Sequence, residues 1–241
     1  MGNMYRFFLV PILATLIAGC SNINKEISCE QILSDTYSIS SLNNFEKNKF
    51  KNLLVERYPK YDQMFQEASD ETMIDKNLLA AISFQESQWD PRAQSNMGVR
   101  GMMMVTLETA ALVGVEKRLN PEQNIKGGSR YFAMLLEKNK VGITEADKLS
   151  IVLASYNLGP TNILKVASLI DENIENVSWL EIEEKLKTLK GEDLNLTDSV
   201  SYTRGQQAID YVGRVKEYYQ LMSAHSLSLI HISEPTRRTI I

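Results

Sequence analysis

Through the middle of the chain, apolar positions recur every three or four residues, the spacing of helices that bury one face against a core. Asp75 is placed to cap a helix on which Leu78, Leu79 and Ile82 form one stripe, and Trp89-Asp90-Pro91 ends it. Glu86 follows Ile82 by one helical turn and Leu79 by two, so its carboxyl is predicted on the buried stripe rather than the solvated face. Thr106 opens a helix that stops at Gly114. Gly127-Gly128 precede another, predicted over 129–139 with Tyr131, Met134, Leu135 and Lys138 in phase. Residues 145–157 carry Leu149, Leu153 and Tyr156 on a common face until Gly159-Pro160, and 161–170 forms a short helix. Ser178 with Glu181 has the form of a capping box, and residues 190–201 are polar enough for a loop. A last helix over 207–222 aligns Ala208, Tyr211, Val215, Tyr218 and Met222. No alternating run of β-branched residues is long enough for a sheet, so the fold is expected to be mostly α.

Both ends break this pattern. In residues 1–19, Arg6 precedes an apolar run from Phe7 to Ala18, too short for a spanning helix, which needs roughly 20 residues, and suited to a signal peptide. Leu16-Ile17-Ala18-Gly19-Cys20 resembles the bacterial lipobox, which makes Cys20 the expected lipidation site and the membrane an expected partner. The alternative is an ordinary signal peptide, with Cys20 paired to Cys29 in an oxidising compartment. Ser21 after the cysteine resembles lipoproteins sorted to the outer membrane. Residues 20–49 are rich in serine and asparagine without a helical period, as befits a flexible tether, leaving 50–226 as the folded domain. At the other end, Leu227 to Arg237 resembles the translated read-through of a sequencing adapter, so residues 227–241 are set outside the expected fold.

Composition narrows the function. With 241 residues, 44% hydrophobic and only 12 glycines and 6 prolines, the chain has material for one domain-sized core. A net charge of -4, with no cluster of basic and aromatic residues, argues against a nucleic-acid surface. The histidines, at 225 and 231, and the cysteines, at 20 and 29, do not assemble a zinc ligand set, so neither a metal nor another cofactor is expected.

The chemistry-bearing segment is Gln85-Glu86-Ser87-Gln88-Trp89-Asp90-Pro91, followed by Ser95, Gly98 and Gly101-Met102-Met103-Met104. Later come Ser155-Tyr156-Asn157-Leu158-Gly159 and Tyr211-Val212. Together these four ordered motifs resemble the soluble lytic transglycosylase (SLT) family, and Thr106-Leu107 with Asn124-Ile125-Lys126-Gly127-Gly128 are most similar to the catalytic domain of its membrane-bound F type. The segment ahead of the helical body is expected to be too short for the solute-binding-like domain of that type. Met104 and Ser155 stand where the family usually carries glutamine and alanine.

The resemblance implies a lysozyme-like helical domain that cuts peptidoglycan glycan strands. Cleaving a glycosidic bond requires a proton for the leaving oxygen, and burial against Ile82 and Leu79 is expected to lift Glu86 to about 6, so that it can both give and take one. By the same resemblance, the 6-hydroxyl of N-acetylmuramic acid attacks C1 and leaves a 1,6-anhydro end. A tethered nucleophile of this kind needs no second carboxylate. Ser95, Met103, Tyr156, Asn157 and Tyr211 are the substrate-binding candidates. Bare spacing leaves other roles open to them: a turn for Ser95, a helix cap for Asn157, and core packing for Met103, Tyr156 and Tyr211. Asp90 reads as a turn former before proline. The alternatives to a transglycosylase are a hydrolytic muramidase and a non-catalytic glycan-binding lipoprotein.

Overall fold

A computed structural model of the chain describes residues 29–95, 98–194 and 198–233. Their order is α1 (Cys29–Ile39), α2 (Asn44–Glu56), a 3-10 turn (Tyr58–Lys60), α3 (Asp62–Thr72), α4 (Lys76–Ser87), α5 (Leu107–Val113), α6 (Pro121–Lys138), α7 (Glu145–Leu158) and α8 (Pro160–Ser168). A second 3-10 turn (Ile174–Asn176), α9 (Trp179–Leu186), α10 (Gly191–Leu194) and α11 (Asp198–Ser233) complete it. No strand occurs among the described residues, and isolated bridges join Gln94 to Arg100 and Arg100 to Val105. The mostly α expectation holds.

The caps read from sequence form as expected. Asp75 accepts from the N–H groups of Asn77 and Leu78, Thr106 from Thr109, and Ser178 and Glu181 close a reciprocal box. Every residue of α4 from Leu78 to Phe84 is buried, so this helix is the axis of the domain. The long α11 lies across α4, α7 and α1, while α3 packs on α6. Phe84 of α4 meets Phe50 of α2 edge-on at 4.9 Å, Trp89 at 4.7 Å and Tyr218 of α11 at 4.5 Å.

Several expectations need correction. The flexible tether over 20–49 does not extend past Cys29, because α1 is a helix packed on α11 and α2 begins at Asn44. Tyr37 supplies the reason: its buried ring meets His225 edge-on at 5.6 Å, and its hydroxyl lies 2.8 Å from that imidazole. Burial and the nearby Lys51 ammonium push His225 down to about 4, leaving it neutral at physiological pH. Cys20 lies outside the described residues.

The helix predicted from 129 begins at Pro121, with Asn120 capping it, and runs through both glycines. A Cβ on Gly127 would strike Val115, and one on Gly128 would sit 2.5 Å from Met103 Cβ, so glycine here answers a close approach rather than a turn. The loop expected over 190–201 contains α10 and the start of α11. The last helix continues to Ser233, past the boundary set at 226, and Ser228 is buried. Among the described residues, no helix is long and apolar enough to cross a membrane.

If α1 belongs to the domain, Tyr37→Ala removes a buried ring and its hydrogen bond and should destabilise the protein by about 3 kcal/mol. Urea unfolding checks this; an unchanged midpoint would return α1 to the status of a tether.

Candidate active site

Glu86 occupies the last turn of α4, where the local backbone is tightly specified. The chain leaves through two successive left-handed residues, Gln88 (φ 55°) and Trp89 (φ 57°), a conformation that costs non-glycine residues about 1 kcal/mol each. Trp89 anchors it: the ring is wholly buried and its indole N–H donates to the Ala80 carbonyl at 2.9 Å. Arg57 adds a hydrogen bond to the Gln88 carbonyl at 3.1 Å. The exit of the helix, and with it the direction of Glu86, is held from both sides.

The loop 98–105 is strapped against this helix end. Ser83 and Ser87 both donate to the Met102 carbonyl, at 3.0 and 2.7 Å. Asn124, fully buried on α6, accepts from the Met103 N–H at 2.7 Å and donates to the carbonyls of Arg100 and Arg118 at 3.0 and 2.8 Å. Gly101 (φ 89°) is required beside it, since a Cβ would collide with the Asn124 side chain and the Arg118 carbonyl. Arg118 donates to the Gly98 and Val105 carbonyls at 2.9 and 3.1 Å. From α7, the Tyr156 hydroxyl donates to the Met103 carbonyl at 2.8 Å.

Electrostatically, Glu86 is the outlier. Its side chain keeps some solvent access, yet protein surrounds the carboxyl closely enough that desolvation lifts it from 4.5 to about 7, the Tyr211 hydroxyl partly opposing the rise. Tyr211 and Tyr156 are themselves held well above the usual phenol range, first by burial and then by the Glu86 charge. The Tyr211 hydroxyl is buried with no partner in good hydrogen-bond geometry, so it faces the carboxyl at somewhat longer range. A carboxyl with that pKa, flanked by two neutral phenols, can donate a proton near neutrality and afterwards accept one.

The other candidates separate. Tyr156 and Tyr211 converge on Glu86. The Met103 side chain does not line a cleft, because it is fully buried against Ser129, whose hydroxyl is 3.7 Å from the sulfur; only its backbone reaches the site. The Ser95 hydroxyl accepts from the Val99 N–H at 3.2 Å and its carbonyl from the Gly98 N–H at 3.0 Å. Asn157 is exposed and lines a hollow of about 230 Å³ with Gln85, Gln207, Asp210, Tyr211 and Arg214. Asp90 accepts from the Arg92 N–H at 2.9 Å, as a turn former does.

Sequence reasoning missed Asn124, Ser83, Gln85 and Arg214. Asn124 left a trace, an amide one turn after the Asn120 cap and beside two glycines, but nothing local says that it points inward. Among the described residues, no group of three or more His, Cys, Asp or Glu side chains stands close enough to hold a metal ion.

Residues 63–176, which hold Glu86, Ser95, Met103, Tyr156 and Asn157, match the Transglycosylase SLT domain family. Within that class the chain is similar to membrane-bound lytic murein transglycosylase F. It is 38% identical to the F 1 protein of Alkalilimnicola ehrlichii over 192 residues, 79% of this chain and 37% of that protein. With the F protein of Aeromonas hydrophila it shares 40% identity over 163 residues, 67% of this chain and 32% of that protein. It thus spans about a third of the length of these curated relatives. Alignment with the 70 kDa soluble lytic transglycosylase of Escherichia coli gives 20% identity and a TM-score of 0.46 over 69% of this chain and 24% of that one.

Two outcomes follow from this geometry. Asn124→Ala strands the Met103 N–H and the Arg118 carbonyl, while the Arg100 carbonyl keeps the Val105 N–H, and should cost about 3 kcal/mol in thermal or urea unfolding. The second concerns Glu86, which ionises at 4.5 when unfolded but near 7 when folded. Folding then takes up a proton between those values, and stability falls as pH rises through that window by about 3 kcal/mol in all. Glu86→Gln, which cannot ionise, should match the parent at pH 4 and exceed it above pH 7. A stability difference flat across that range would show the carboxyl to be solvated.

Proposed function

We propose that this chain is a peptidoglycan lytic transglycosylase in which Glu86 acts first as general acid and then as general base. Glu86 protonates the glycosidic oxygen between N-acetylmuramic acid and N-acetylglucosamine as the C1–O bond breaks. The muramic acid 6-hydroxyl then closes on C1 and gives up its proton to the Glu86 carboxylate, leaving a 1,6-anhydro end. No water is consumed and the acid is regenerated, so atoms and charge balance.

The observation that carries this reading is the buried carboxyl itself, lifted to about 7 and attended by tyrosines. An ordinary glutamate would be almost wholly ionised at neutral pH, whereas burial keeps this one protonated to a far higher pH. The SLT domain and the named F-type relatives support the choice of peptidoglycan and of transglycosylation. Tyr211 and Asn157, which line the adjoining hollow, are the proposed contacts to sugar. Ser95, by the family resemblance, is a further proposed contact, and Tyr156 and Met103 act through the backbone they hold in place. The lipobox supports attachment at Cys20, with the domain held at the cell envelope and, by Ser21, at the outer membrane.

Digestion of purified sacculi with mass-spectrometric analysis of the products tests the reaction. Anhydro ends are expected from the parent and none from Glu86→Gln; reducing ends instead would make the protein a hydrolytic muramidase. Because the acid must be protonated in the free enzyme, kcat/KM should fall above pH 7, approaching tenfold per pH unit. Tyr211→Phe removes a group that favours the carboxylate, so it should move that alkaline limb to higher pH. An unmoved limb would place the Tyr211 hydroxyl out of reach of Glu86.

A further inference from the structure

A second hollow, of about 250 Å³, adjoins the one beside Tyr211. Gln85 and Arg214 line both, so the two are successive parts of one trough across the C-terminal end of α4. Within the outer part, Arg214 pairs with Glu46 at 3.1 Å, which satisfies those charges against each other. The rest of the wall is made of the rings of Phe45, Phe84 and Tyr218, the Lys49 ammonium and the amides of Asn43, Gln85 and Gln88; Phe84 and Tyr218 are buried, so Phe45 is the ring it exposes.

Phe45 has no packing role that explains it. It is 73% exposed, while α2 buries its inner face through Phe50. Lys49, one turn along the same helix, holds its ammonium 5.7 Å from the ring centroid. Asn43 spends its side-chain oxygen on capping α2, accepting from the Glu46 N–H at 3.0 Å, which leaves its NH2 as the group it offers outward. A pyranose ring presents one face of C–H groups and a rim of hydroxyl and acetamido groups. An exposed aromatic ring bordered by amides complements both. These α2 residues precede the segment 63–176 matched by the SLT family.

We infer that the outer hollow is a glycan subsite in which Phe45 stacks on a sugar ring while Asn43, Gln85 and Gln88 bind its polar rim. The inference rests on the proposal that a glycan strand passes Glu86, and it adds where the strand continues. The site extends the grip beyond the SLT core and uses α2, a helix whose other face is part of the fold.

The test uses the full chain carrying Glu86→Gln, so that substrate binds without turnover, and the β-1,4-linked hexamer of N-acetylglucosamine as the probe. Calorimetry should show the hexamer binding about tenfold more weakly to the Phe45→Ala version, with Phe45→Trp restoring the affinity. In proton spectra, sugar C–H resonances should move upfield on binding to the Phe45 form and lose that movement in Phe45→Ala. Truncating so exposed a ring leaves the core untouched, which an unchanged melting temperature will verify. If Phe45→Ala binds the hexamer as tightly as its parent, or the upfield movement persists, the subsite is elsewhere. If the Phe45-containing parent binds no hexamer at all, the glycan-cleaving proposal falls together with this one.

Discussion

The backbone of two consecutive methionines ties the site together. The Met102 carbonyl takes hydrogen bonds from two serines of α4, the Met103 carbonyl takes one from Tyr156 of α7, and the Met103 N–H gives one to Asn124 of α6. Three helices that share no continuous stretch of chain are thereby registered on one short loop. Hydrogen bonds in a dry interior are exacting, because each unmade one leaves a polar group that water cannot reach. The loop therefore has a single arrangement compatible with all its partners, and Glu86 inherits its position from that arrangement.

The same construction explains the acid's chemistry. Burying a carboxyl is unfavourable, and the domain meets that cost with a well-packed frame rather than with a counter-charge. A nearby arginine or lysine would have relieved the desolvation and produced a permanently ionised side chain, useless as a proton donor. The Tyr211 hydroxyl, which carries no charge, moderates the shift without cancelling it. Proton affinity near neutrality is thus a property of the packing, and it fails if the packing loosens.

Much of this was legible in the chain because it is local. Helix caps at Asp75, Thr106 and Ser178 depend on a few adjacent residues, and the inward face of Glu86 follows from its phase with Leu79 and Ile82. What was not legible depends on partners far away in sequence. Tyr37 orders α1 only because His225 waits 188 residues later, so a serine-rich stretch passed for a tether. Gly127 and Gly128 looked like helix breakers until the close approach of Met103 and Val115 gave them a steric purpose. Met103 looked like a cleft wall because its motif lies at the site, yet it is the main chain that participates while the thioether fills the core. Asn124 carried no local signal of its triple role.

The complete burial of α4 from Leu78 to Phe84 has a mechanical corollary. A helix enclosed on all sides cannot pivot without opening the whole core, so the Glu86 carboxyl at its end behaves as a fixed post. Under the proposed function, a glycan strand drawn past that post would have to do the adjusting itself.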